Sequence, residues 1–174
     1  MNLEEIAKKM CEKGKGILAA DESTGTIEKR FKTINVENTE INRVSFRETL
    51  FSSQAMKNYI GGVILFDETI RQKSSTGIPI PELIKNNGAI PGIKVDKGAK
   101  KLAGSIDETI TEGLDGLRER LKEYYDLGAR FTKWRAVYKI TSNFPSPQCI
   151  KSNAHALARY ASLVQEANMV PIVE

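Results

Sequence analysis

The chain has 174 residues, of which 40% are hydrophobic and 28% charged, with a net charge of +4 and an isoelectric point near 9.0. Those proportions suit a globular domain with a sizeable core and exclude a disordered segment. Lysine and arginine are scattered in short pairs, which argues against a nucleic-acid-binding face, and no apolar run approaches the roughly 18 residues of a membrane span. Apolar runs of strand length alternate with helical patterns, the rhythm of βα units around a parallel sheet.

In chain order, LEEIAKKM sets Leu3, Ile6, Ala7 and Met10 at helical spacing, with Gly14 as a stop. GILAADES reads as a short buried strand ending in acid. Asn38 and Thr39 are N-cap residues for a helix from Glu40 toward Gln54. IGGVILFDE is a second strand, again ending in acids. KSSTGIPIPELIKNNG is a loop with a short helix, and IPGIKVDKG a third strand. GLDGLRERLKEYYDLG puts Leu114, Leu117, Leu121, Tyr124 and Tyr125 on one helical face and stops at Gly128. ARFTKWRAVYKI is the fourth strand. Pro145 and Pro147 break the chain before a long helix through HALARYASLVQEAN, and MVPIVE opens a fifth strand.

Parallel strands are buried on both faces and need neighbours, and a closed (β/α)₈ barrel takes about 250 residues and eight strands. The expectation is therefore an α/β fold in which residues 1–174 form the N-terminal part of a single TIM-barrel domain. It holds about five βα units and ends within the fifth strand. The open sheet edges, VPIVE among them, should leave this segment alone poorly soluble or molten.

Such barrels carry their chemistry at the C-terminal ends of the strands, and strand residues two apart share a face. Ile17, Ala19 and Asp21 share one face of the first strand, and Gly92, Lys94 and Asp96 one face of the third. Phe131, Lys133, Arg135 and Val137 share a face of the fourth, while Glu174 follows Val170 and Ile172 in the last. An interior charge is costly unless paired or used. Asp21, Lys94, Lys133, Arg135 and Glu174 around one rim would gather cations for phosphates and carboxylates for proton transfer. Asp96 with Lys97 reads equally as a plain turn, and Asp67 with Glu68 as structural.

Other chemistries find little support. No P-loop motif occurs, and the single G-x-G, at Gly14 and Gly16, precedes a strand instead of following one. His155 is the only histidine and Cys11 and Cys149 the only cysteines. That set cannot build a zinc site or a serine triad, and both thiols read as reduced packing residues. Tyr124, Tyr125, Phe131 and Trp134 read as core, not as a base-stacking platform. The start Met-Asn-Leu-Glu-Glu lacks a signal-peptide pattern, so a cytoplasmic location is expected.

GKGILAADEST, ENTEINR, GGVILF, PGIKVDKG, GLDGL, GARFTKWR, LARYAS and VPIVE together resemble class I fructose-1,6-bisphosphate aldolase, in family order and across nearly the whole chain. The resemblance implies a glycolytic lyase, a homotetramer with no metal or other cofactor. It would cleave the phosphorylated sugar fructose 1,6-bisphosphate to dihydroxyacetone phosphate and glyceraldehyde 3-phosphate through a lysine Schiff base. By motif, Asp21, Lys133 and Glu174 would be catalytic. Lys94 and Arg135 would contact substrate phosphates and hydroxyls, Ser23, Thr26 and Arg30 would bind phosphate, and Arg43 is a further substrate contact. Thr26 departs from the family's usual serine but keeps the hydroxyl. The family's Schiff-base lysine lies in a later strand, so these residues alone are expected to be inactive. Lys133 and Arg135 would lower that lysine's pKa by like-charge repulsion. Metal-dependent aldolases hold their cation largely with histidines, so a segment with one histidine is a poor match for them.

Overall fold

The computed structural model describes residues 1–174. In chain order the elements are α1 (Leu3–Met10), β1 (Gly16–Ala20), α2 (Thr24–Thr33), α3 (Glu40–Phe51), α4 (Gln54–Tyr59), β2 (Ile60–Leu65), α5 (Asp67–Arg71), α6 (Ile80–Asn86) and β3 (Ile90–Lys94). The hairpin β4 (Ala99–Lys101) and β5 (Thr109–Thr111) follows, then α7 (Leu117–Asp126), β6 (Phe131–Trp134), α8 (Pro147–Glu166) and β7 (Val170–Val173). Five strands form one parallel sheet in the order β1-β2-β3-β6-β7, which is also their order along the chain.

Strand periodicity divides the sheet into two faces. Leu18, Ala20, Val63, Leu65, Ile93, Val95 and Trp134 face the helices and pack against Phe51, Ile84, Leu121, Tyr160 and Val164. Ile64, Ile90 and Phe131 point to the opposite face, where Ile6 and Met10 of α1 cover them together with Val170 and Ile172. This second cluster is the filled floor of the barrel interior. Its fit depends on missing side chains. A Cβ on Gly92 would lie 2.4 Å from the Phe131 ring, and one on Gly61 would lie 2.4 Å from the Met10 carbonyl oxygen. Glycine lets the ring lie across β3 and lets α1 approach β2.

Behind the sheet, the Tyr160 hydroxyl lies 2.6 Å from Thr132 Oγ1 and donates to the Ile172 carbonyl at 3.1 Å. It joins α8 to both β6 and β7. Glu108, just before β5, is a second tie. Its carboxylate accepts from Ser105 Oγ at 2.9 Å and from Ser146 N–H and Oγ at 2.6 and 2.7 Å. Ser146 in turn caps α8 by accepting from the Cys149 N–H.

The five strands and the parallel arrangement agree with the sequence reading, and several boundaries differ. α2, α4, α5 and the β4–β5 hairpin were not expected. The fourth strand stops at Trp134 instead of running to Ile140, because pairing with β3 ends at Lys133 and pairing with β7 at Trp134. The last helix starts at Pro147, where proline's missing N–H is harmless. Cys149 is buried, but Cys11 is exposed just beyond α1, so it is not a packing residue.

Candidate active site

β6 presents Lys133 to the interior. Its Nζ donates to Asp21 Oδ2 at 3.0 Å and lies 3.3 Å from Glu174 Oε2. Asp21 follows β1 and Glu174 follows β7, the opposite edges of the sheet. Both carboxylates reach one ammonium because the sheet curls, bringing its edges toward each other across the interior. The Lys133 and Asp21 side chains are only 12% and 11% exposed, against 45% for Glu174. Burial pulls the Lys133 pKa down, but the hydrogen bond and charge of Asp21, with the charge of Glu174, outweigh it and raise it. Lys133 is a protonated amine at neutral pH, with a carboxylate on either side.

Lys94, at the end of β3, pairs with Asp96 at 2.9 Å and donates to the Asp96 carbonyl at 3.2 Å. Asp96 is buried and also accepts from the Gly98 N–H at 3.0 Å and the Arg135 N–H at 3.4 Å. The plain-turn reading of Asp96 is thus corrected: it anchors Lys94 and the start of the segment after β6. Arg135 lies beyond the strand end with its side chain exposed, and joins the cluster through its backbone.

Ser23 caps α2 by accepting from the Thr26 N–H, and the two hydroxyls are 3.1 Å apart at the exposed helix start. One or two turns on, Arg30 is ion-paired with Glu22. Ser23 and Lys94 line one open cleft of about 730 Å³ together with Asp96, Arg71 and Tyr124. Arg43 stands apart. Its guanidinium is buried in two parallel hydrogen bonds to Glu68, of 2.8 and 2.6 Å, and also bonds the Asn38 carbonyl and side chain. It forms an ion pair that engages most of its donors with Glu68 and Asn38. Glu68 correspondingly titrates below the usual carboxylate range, chiefly through that hydrogen bond from Arg43.

Sequence reasoning passed over Glu22 and Arg47, left Asp96 open between the Lys94 face and a plain turn, and read Glu68 as structural, the part it plays with Arg43. The signal for Asp96 was its parity with Lys94. Arg47, four residues after Arg43 on α3, carries no such signal, because an arginine on a helix is ordinarily solvated. Nowhere do three or more His, Cys, Asp or Glu side chains converge as metal ligands.

The family model for "Glycolytic: Fructose-bisphosphate aldolase class-I" matches residues 2–174. The chain belongs to the class I fructose-bisphosphate aldolases. It is 59% identical over 172 residues to a probable fructose-bisphosphate aldolase class 1 of Xanthomonas campestris, covering 99% of this chain and 52% of that protein. Against fructose-bisphosphate aldolase 6, cytosolic, of Arabidopsis thaliana it is 59% identical, covering 92% of this chain and 45% of the relative. The structure superimposes on the aldolase of Plasmodium falciparum, solved with TRAP and a small-molecule inhibitor, at a TM-score of 0.95 and 50% identity. That match covers 98% of this chain and 50% of the other. The aldolase chain described here thus spans about half the length of the relatives it matches, and its five-stranded sheet is part of an incomplete barrel.

Proposed function

We propose that the full-length protein cleaves fructose 1,6-bisphosphate through a lysine Schiff base, with Asp21, Lys133 and Glu174 moving the protons. The observation that carries this reading is the protonated Lys133 held between two carboxylates from opposite sheet edges. Aldol cleavage needs a base for the C4 hydroxyl proton and an electron sink at C2. Loss of that proton breaks the C3–C4 bond and releases glyceraldehyde 3-phosphate. The bond's electron pair moves into the iminium, leaving an enamine. Protonation at C3 and hydrolysis then free dihydroxyacetone phosphate. A carboxylate beside an ammonium can take the first proton and return one later.

Lys133 itself is poorly suited to be the sink, because imine formation needs a neutral amine and its carboxylates keep it charged. Lys94 is ion-paired with Asp96 at 2.9 Å. The electron sink is assigned, as the family resemblance implies, to a lysine outside residues 1–174. Ser23, Thr26 and Arg30 at the head of α2, together with Lys94 and Arg135, are assigned to the substrate's phosphates and hydroxyls. A cytosolic location is inferred from the names of the Arabidopsis relatives.

Borohydride trapping tests the assignment. The full-length protein incubated with fructose 1,6-bisphosphate should yield one covalent adduct per chain, and residues 1–174 alone should yield none and show no cleavage. A stoichiometric adduct on Lys133, retaining substrate-derived mass, would overturn it.

A further inference from the structure

One buried charge has no part in the chemistry above. Arg47 on α3 has no solvent exposure. Its Nη2 donates to the Glu22 carbonyl oxygen at 2.6 Å, and Glu68 lies 4.0 Å from its Nη1. Its Nε and Nη1 make no hydrogen bond, and neither does the buried Glu22 Oε2. A cation so placed loses its hydration for one carbonyl bond and one long ion pair, where an apolar side chain of similar volume would incur no such loss. Neither carboxylate depends on it. Glu68 has Arg43, and Glu22 has Arg30.

What does depend on Arg47 is the turn between β1 and α2. β1 ends at Ala20 and α2 begins at Thr24, so Asp21, Glu22 and Ser23 lie outside both ladders. No backbone–backbone hydrogen bond holds Asp21 or Glu22. The side-chain bond from Arg47 to the Glu22 carbonyl is the one hydrogen bond that their main chain makes. Asp21 precedes the anchored carbonyl and Ser23 follows it. The Asp21 side chain is held from the other direction by Lys133.

We propose that Arg47 is a positioning residue, which through the Glu22 carbonyl sets the place of the Asp21 carboxylate and of the Ser23 cap. The inference rests on the reading of Asp21 and Lys133 as the proton-handling pair. A buried arginine can serve here because its fork is rigid and permanently charged, so the turn it holds cannot relax by proton loss.

The test uses the full-length protein and compares Arg47→Met, Arg47→Lys and Lys133→Met. For Arg47→Met, kcat should fall roughly 10–100-fold, as for loss of a supporting contact, while the melting temperature and the borohydride-trapped stoichiometry stay at wild-type values. Arg47→Lys, which can still donate to the carbonyl, should recover most of kcat. A wild-type kcat in Arg47→Met overturns the proposal. So does loss of trapping or of the cooperative melt in both Arg47 variants, which would assign Arg47 to folding alone. If Lys133→Met keeps its turnover, the reading of the site fails first and takes the inference with it.

Discussion

At Lys133 the loss of hydration and the pull of the carboxylates oppose each other, and the carboxylates prevail. Removing a participant in proton transfer typically costs about 10²–10⁴-fold in rate, and we expect a fall in kcat of that size for Lys133→Met in the full-length protein. Sequence reasoning alone would let the fold survive that change untouched. The structure says otherwise, since Asp21 is largely buried and would lose its counter-charge. The variant should therefore melt lower than wild type. A wild-type melting temperature in Lys133→Met would contradict the pairing. Glu68 adds a dependence on pH. Its folded-state pKa is depressed, so its contribution is present above the ordinary glutamate range and is lost as pH falls through the folded value. Glu68→Gln should therefore flatten the acid limb of the melting curve below about pH 4.5, and an unchanged limb would show that Glu68 is not a source of it. What sequence could show at this scale was parity: it put Asp21, Lys94, Lys133 and Glu174 on interior positions. It could not show their partners, because Asp21 and Lys133 are 112 residues apart and Arg43 and Glu68 are 25 apart.

At the scale of elements, legibility followed the length and apolarity of each segment. α1 and the strands announce themselves through buried residues at regular spacing. α2 buries only Ile27 and Phe31 and carries Gly25 in its first turn, so its pattern is too sparse to read. The β4–β5 hairpin consists of two three-residue strands whose order depends on distant groups, above all Glu108. Glu108→Ala should strand the Ser105 hydroxyl and the Ser146 N–H, at a cost of about 1–3 kcal/mol. Hydrogen exchange should then quicken in the hairpin and the first turn of α8 and stay unchanged in β1–β3. Uniform acceleration would mean that the tie is global. Gly92→Ala probes the floor of the barrel. Its Cβ meets the Phe131 ring, so overpacking should cost about 1–3 kcal/mol, and adding Phe131→Leu should relieve much of that. Additive losses in the double variant would show that the two positions do not share the space.

For the molecule as a whole, the sheet ends in two edges, β1 and β7, and the interior side of β1 leaves Ile17 exposed. Unpaired apolar edges template association. Residues 1–174 expressed alone should form large, heterogeneous aggregates at micromolar concentration in sedimentation experiments, whereas the full-length protein should sediment as one discrete species. A monodisperse monomer with a sharp melt would refute this.

The strand order has one more consequence, for how the molecule is made. Because β1, β2, β3, β6 and β7 neighbour one another in the order they leave the ribosome, each can dock on the edge laid down just before it. No strand needs to insert between two already paired. The charges cannot follow the same schedule. Lys133 is 112 residues behind Asp21, which at 5–20 residues per second is a delay of about 6–22 s. Pulse proteolysis of ribosome-stalled chains should find β1–β3 protected before Lys133 emerges. Translation thus builds the apolar wall early and leaves the Asp21 carboxylate without its Lys133 partner until late in the synthesis of this segment.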